Sequence, residues 1–104
     1  MEYRERVWLE DPAKDRYIDF TDCKTLGELH QILKEELELP DFYGENLDAL
    51  WDSITGLMYV PAKITIKKGG AKVLHEYIEK VVKIFNRAVD EYGDITVEVL
   101  ESEE

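Results

Sequence analysis

Residues 61–100, "PAKITIKKGGAKVLHEYIEKVVKIFNRAVDEYGDITVEVL", decide the fold, because a strand, a long helix and a second strand follow one another there. The β-branched run Ile64-Thr65-Ile66 predicts the first strand, and "DITVEVL" (94–100) predicts the second. Between them, residues 71–93 carry apolar residues at helical spacing and end at a glycine. Strands that are joined by a helical crossover lie parallel, so this stretch predicts a parallel sheet packed on helices.

The residues upstream extend the same pattern. "RYIDF" (16–20) alternates apolar and polar side chains and predicts another strand. "TLGE" (25–28) matches a capping box and predicts a helix from about Leu26 to Glu38, which ends before Pro40. A shorter helix follows Asn46. The order strand, helix, short helix, strand, long helix, strand predicts an α/β fold of two layers, with a three-stranded parallel β-sheet packed against helices.

The length of 104 residues indicates one domain with a single core. We assign residues 17–100 to that domain and residues 1–16 to a polar N-terminal extension. Within the extension, "RVWLE" is a candidate edge strand that ends at Asp11-Pro12. Residues 101–104, "ESEE", are predicted to be a solvated acidic tail.

The formal net charge of −11 narrows the choice of partners. It argues against direct binding to nucleic acid or to an anionic membrane, and it favours rapid association with a basic protein. No apolar run is long enough to span a bilayer, and the N-terminus lacks a secretory signal, so we expect a cytoplasmic protein. Acidity that only aids solubility is the alternative, and the positions of the acids must decide between the two.

The sequence lacks the residue patterns that enzymes use for catalysis. Cys23 has no histidine nearby, and His30 and His75 have no partner at metal-ligand spacing, so we expect both histidines to be ordinary helix residues. We therefore predict no catalytic residue, no cofactor and no metal site. A weak divalent-cation site on Asp48 and Asp52 is the minor alternative.

The stretch "LPDFYGENLDALWDSITG" (39–56) concentrates acids on a short predicted helix. Leu47, Leu50 and Ile54 form one apolar stripe, and Asp48 and Asp52 lie roughly 140° away around the helix. These two carboxylates are one turn apart and repel each other. Together with the neighbouring aromatic residues they are typical of a surface that accepts hydrogen bonds from Arg, Lys and His. A polar face that merely carries acids is the alternative.

Residues 29–56, "LHQILKEELELPDFYGENLDALWDSITG", closely resemble the barstar family, whose members are intracellular inhibitors of the extracellular ribonuclease barnase. The resemblance extends more loosely over residues 17–100. It implies the same parallel α/β fold and a cytoplasmic inhibitor, monomeric when free, whose acidic helix and preceding loop block the active site of a basic, barnase-like ribonuclease. A barstar-fold adaptor or regulator that binds another basic protein is the alternative function.

The resemblance also implies which residues contact the partner, with Asp52 as the central charge. Carried over by position in the motif, they are Tyr43, Gly44, Asn46, Asp48, Trp51 and Asp52. Three further partner-binding positions depart from the family pattern: Phe42 replaces a tyrosine, Leu57 replaces a tryptophan, and Arg87 replaces an acid. The family's proline that follows an aromatic residue is cis. In this chain the pair is Val60–Pro61, and cis and trans forms both remain open.

Overall fold

The computed structural model describes residues 7–8, 14–56 and 59–101. The predicted order of strands and helices is confirmed, and so is the α/β fold with three parallel strands in one sheet. The elements are β1 (Val7–Trp8), β2 (Lys14–Asp19), α1 (Leu26–Glu36), α2 (Leu47–Gly56), β3 (Tyr59–Val60), β4 (Ala62–Lys67), a 3₁₀ turn (Lys72–Leu74), α3 (His75–Tyr92) and β5 (Ile95–Leu100).

The main sheet has the strand order β2-β4-β5, and both of its pairings are parallel. Arg16 lies opposite Ile64, which lies opposite Val97. The chain passes through α1 and α2 between β2 and β4, and through α3 between β4 and β5. A separate parallel pair joins β1 to β3, with Val7 opposite Tyr59.

Side chains alternate between the two faces of the main sheet. On β2 and β4 the residues of one face are buried, including Ile18, Ile64 and Ile66, and they join a core cluster with the helices. On the other face Asp15 and Lys63 are exposed. The helices therefore cover one face, and the result is the predicted arrangement of two layers.

The start of α1 follows the predicted capping box with one change. The hydroxyl of Thr25 accepts a hydrogen bond from the backbone N–H of Glu28 at 3.1 Å. The Glu28 carboxylate accepts from the backbone N–H of Lys24 at 2.7 Å, one residue before the expected donor. Both bonds satisfy backbone donors that would otherwise lack partners at the helix start.

The end of α1 lies two residues earlier than predicted, at Glu36. Arg16, which is buried on β2, donates from Nη1 to the carbonyl of Glu36 at 3.0 Å. Its Nη2 lies 2.6 Å from the carboxylate of Glu38, whose φ is 53°. This left-handed residue turns the chain before Pro40, so a contact with a distant strand, in addition to the proline, fixes where the helix ends.

Three local expectations concern the second half of the chain. The segment 71–93 begins with the 3₁₀ turn, and its α-helix starts only at His75. Gly93 ends α3 as predicted, with a φ of 71° and its N–H donated to the carbonyl of Val89 at 3.1 Å. The Val60–Pro61 peptide bond is cis.

Among the described helices, none combines the length and the apolar character that crossing a bilayer requires.

Candidate protein-binding site

The loop that precedes α2 is held by a hydrogen-bonded bridge of three side chains, of which two are buried and one is half-buried. The hydroxyl of Tyr43 lies 2.7 Å from Nδ1 of His30, and the hydroxyl of Tyr77 lies 2.7 Å from Nε2 of the same ring. Tyr43 belongs to the loop, His30 to α1 and Tyr77 to α3. We call these three residues the His30 bridge. It ties the loop to two helices of the core, so the loop reaches α2 in a fixed position.

Burial determines the protonation of the His30 bridge. It lowers the pKa of His30, while the nearby Glu45 carboxylate partly opposes the change. Burial also raises the pKa of Tyr43 and of Tyr77. A neutral imidazole donates from one ring nitrogen and accepts at the other. One tyrosine hydroxyl therefore donates to the ring and the other accepts from it, which satisfies both ring nitrogens without any buried charge.

The turn into α2 is formed by Gly44, Glu45 and Asn46. Glu45 takes the left-handed conformation, with a φ of 53°. The side-chain oxygen of Asn46 accepts from the N–H of Ala49 at 2.8 Å, and its amide nitrogen donates to the carbonyl of Gly44 at 3.1 Å. A Cβ at position 44 would lie 3.2 Å from that of Ala49, so a glycine permits the close approach. Asn46 is thus the N-cap of α2.

Helix α2 separates an apolar face from an acidic one. Leu50 and Ile54 are fully buried in the core, whereas Asp48 and Asp52 are exposed. Trp51 is half-buried between the two faces. In the part of the chain that the structure describes, no Lys or Arg forms an ion pair with Asp48. The buried face holds the helix, and the acids on the other face are presented to solvent.

Arg87 extends this surface onto α3. Its guanidinium carbon lies 4.3 Å from the centroid of the Trp51 ring, which is the geometry of a cation–π contact. Its Nε also donates to the carboxylate of Glu91 at 3.2 Å, one turn further along the same helix. The sequence identified Arg87 only as a departure from the family pattern, and the structure adds its contact with the aromatic residue of α2.

The predicted partner-binding residues fall into three groups. Those that are exposed or half-buried are Phe42, Gly44, Asn46, Asp48, Trp51, Asp52 and Arg87. Phe42 is the most open of the large apolar side chains among them, at 75% exposure. Tyr43 is only 6% exposed, so its side chain belongs mainly to the core and offers little area to a partner. Leu57 lies outside the described residues.

Sequence reasoning missed the His30 bridge. We expected His30 to be an ordinary helix residue, but it is 2% exposed and bonded on both ring nitrogens. One signal was present, because Leu33 and Leu37 follow it at three and seven residues, the spacing of a single helix face. The identities of its partners could not be read from that spacing.

Potential reactive groups were also located. Cys23 is buried, its thiol donates to the carbonyl of Thr25 at 3.4 Å, and burial raises its pKa, so the protonated form is favoured. No group of three His, Cys, Asp or Glu residues arranged to hold a metal ion occurs within residues 7–8, 14–56 and 59–101. The surface around α2 presents the carboxylates of Asp48 and Asp52 beside the Trp51 ring and the Arg87 guanidinium.

Two comparisons with known proteins identify the family. The model of the family described as Barstar (barnase inhibitor) matches residues 13–100. The protein described as "Putative ribonuclease inhibitor YrdF", from Bacillus subtilis (strain 168), is 37% identical over 79 residues, which make up 74% of this chain and 87% of that protein. The chain belongs to the barstar family, and the resemblance seen in residues 29–56 is confirmed.

Proposed function

We propose that this protein inhibits a barnase-like ribonuclease by inserting α2 and the loop before it, residues 42–52, into the active site of the enzyme. The observation that carries the proposal is the division of α2 into an apolar face, on which Leu50 and Ile54 are fully buried, and an exposed face with Asp48 and Asp52. The family description and the name of the Bacillus subtilis relative support ribonuclease inhibition.

The chemistry of the exposed face suits a ribonuclease active site. Such a site binds RNA phosphates with Arg, Lys and His, which donate hydrogen bonds to anionic oxygens. The carboxylates of Asp48 and Asp52 offer anionic oxygens to the same donors. When water is excluded, bonds between charged groups of this kind are stronger than neutral ones. The two acids therefore take the places of phosphates and exclude the substrate.

The fixed loop strengthens binding because little order has to be created when the partner docks. Tyr43 is bonded to His30, and Asn46 caps α2 while also bonding the carbonyl of Gly44. Ordering a loop on association costs free energy, and a loop that is already ordered avoids most of that cost. No covalent bond is made or broken in this mechanism, so the protein acts as an inhibitor and performs no reaction.

The inhibitor is monomeric and acts in the cytoplasm, where it protects its host from its own ribonuclease or a related toxin. The experiment is an inhibition assay with purified barnase and with the barnase-like ribonucleases of the host, using a fluorogenic RNA substrate. We expect stoichiometric inhibition of at least one enzyme. Absence of inhibition of every enzyme, at low salt as well as at high salt, would contradict the proposal.

A second candidate function is that of an adaptor or regulator that binds another basic protein. Arg87 favours it, because this cation lies against Trp51 on a surface that otherwise presents acids. The two functions are distinguished by enzyme kinetics. An adaptor binds its basic partner and leaves ribonuclease activity unchanged, whereas an inhibitor abolishes that activity at equimolar concentration.

A further inference from the structure

The guanidinium of Arg87 has one edge that no described residue occupies. Its carbon lies over the Trp51 ring, 4.3 Å from the ring centroid, and its Nε donates to Glu91 at 3.2 Å. Within the described chain, Nη1 and Nη2 have no hydrogen-bond acceptor. The side chain is 63% exposed, so these two nitrogens are accessible to a partner. They form the end of the guanidinium that binds a carboxylate through two parallel hydrogen bonds.

The contacts of Arg87 set the direction of this edge. A guanidinium that is held over an indole ring and bonded at Nε has restricted freedom to rotate. The ion pair with Glu91 is solvent-exposed and joins residues one turn apart on α3, which is a weak type of pair. This pair helps to orient the Arg87 side chain. Because the pair is weak, the charge of Arg87 stays available for a stronger, desolvated contact.

We propose that Arg87 binds a carboxylate of the partner ribonuclease, beside the basic site that receives α2. This inference rests on the proposed function and specifies the partner further. The acids of α2 attract a basic cleft, and Arg87 requires an acid at the edge of that cleft. A ribonuclease with Lys or Arg at the same position is rejected, because two cations would be buried against each other. Arg87 is thus a specificity-determining residue.

A carboxylate fits this position better than a phosphate of RNA does. Asp48 and Asp52 lie on the same helix as Trp51, and the chain as a whole carries a formal net charge of −11. Bound RNA would have to approach all of these negative charges in order to reach a single arginine. A protein surface can present one acid to Arg87 and cations to the two aspartates at the same time.

The test begins with the barnase-like ribonuclease, from the panel that includes barnase, that the wild-type chain inhibits most tightly. Asp52→Ala must first weaken that inhibition, which establishes that α2 is the binding surface. Arg87→Ala and Arg87→Lys are then compared with Lys63→Ala, which removes one positive charge from the exposed face of the sheet. Thermal melting verifies that each variant folds, and surface plasmon resonance gives the dissociation constants.

We expect Arg87→Ala to weaken binding by about tenfold, a typical loss for a charged contact within an interface. Binding of the Arg87→Lys variant should be weakened similarly, because lysine cannot form the paired hydrogen bonds. The Lys63→Ala variant should bind as the wild type does. The Arg87→Glu variant should regain binding when one acid at the rim of the ribonuclease is replaced by Arg.

The inference is overturned if Arg87→Ala changes the dissociation constant by less than about threefold, or tightens binding, while Asp52→Ala weakens it. It is also overturned if no acid-to-arginine change in the ribonuclease restores binding to Arg87→Glu. A chain that inhibits none of the ribonucleases, or in which Asp52→Ala has no effect, contradicts the proposed function itself. The two failures are therefore distinguishable.

Discussion

Nδ1 of His30 lies 2.7 Å from the hydroxyl oxygen of Tyr43, and this contact joins the first helix of the domain to the loop that leads into α2. Both side chains are buried, at 2% and 6% exposure. The second ring nitrogen bonds Tyr77 on α3. The Tyr43 side chain therefore anchors the loop in the core, although its neighbours Phe42 and Gly44 are exposed.

Replacing His30 by Leu should destabilise the fold. The substitution leaves the hydroxyls of Tyr43 and Tyr77 without their partner in a poorly hydrated site, which costs about 2–4 kcal/mol in the free energy of unfolding. Urea denaturation followed by circular dichroism measures this difference. Asn86→Leu, at an exposed position on α3, is the control and should change the free energy by less than about 0.5 kcal/mol. Equal effects of the two substitutions would contradict the structural role of the bridge.

The stability of the protein should rise with pH across the range in which His30 titrates. Its pKa is lowered in the folded state, so the unfolded chain binds the proton more readily. The free energy of unfolding therefore falls as pH drops below the unfolded value of about 6.5, and it continues to fall down to the folded pKa. Urea titrations at several pH values measure the slope of the free energy of unfolding against pH.

The control for this pH dependence is His30→Gln, which retains a donor and an acceptor but does not titrate. This variant should lose the part of the slope that lies between the folded pKa and about pH 6.5. If His30→Gln has the same slope as the wild-type protein, another group is responsible for the pH dependence.

The N-cap of α2 should contribute to stability and to binding. Asn46→Ala removes the acceptor of the Ala49 N–H and the donor to the Gly44 carbonyl, so we expect a loss of about 1 kcal/mol in the free energy of unfolding. Binding to the ribonuclease should weaken as well, because the turn is less well ordered before docking. Asn86→Ala, at an exposed position on α3, is the control and should leave both measurements unchanged.

Association with the ribonuclease should depend strongly on salt. The net charge of −11 and the exposed Asp48 attract a basic enzyme, and dissolved ions screen that attraction. Stopped-flow measurements should show an association rate constant that decreases as salt increases. Asp48→Asn should lower the rate at low salt more than Asp15→Asn, which removes an equal charge from the exposed sheet face. Equal rates for the two variants would indicate that only the overall charge matters.

The fold could be predicted because its determinants are local in sequence. Ile64-Thr65-Ile66 and the helical spacing of residues 71–93 specify their elements without reference to other parts of the chain. The end of α1 was predicted wrongly because a distant residue intervenes. Arg16 bonds the carbonyl of Glu36, twenty residues away, and α1 ends there instead of at Glu38.

The candidate site could be predicted from the sequence only in part. The acidic face of α2 follows from the helical wheel, and the partner-contact residues came from the family motif. The His30 bridge joins residues separated by 13 and 47 positions, and no local pattern encodes such pairs. The same holds for the contact of Arg87 with Trp51, since the two residues are on different helices.

The most direct test of the central claim is the dissociation rate of the Asp52→Ala variant from the ribonuclease that the wild-type chain inhibits. Glu98→Ala, which removes an exposed acid from β5, is the matched control. If α2 fills a cationic active site, Asp52→Ala raises the dissociation rate by at least about tenfold, equivalent to ~1.4 kcal/mol, and Glu98→Ala leaves it unchanged. A smaller change for Asp52→Ala, or equal changes for both variants, would contradict the claim.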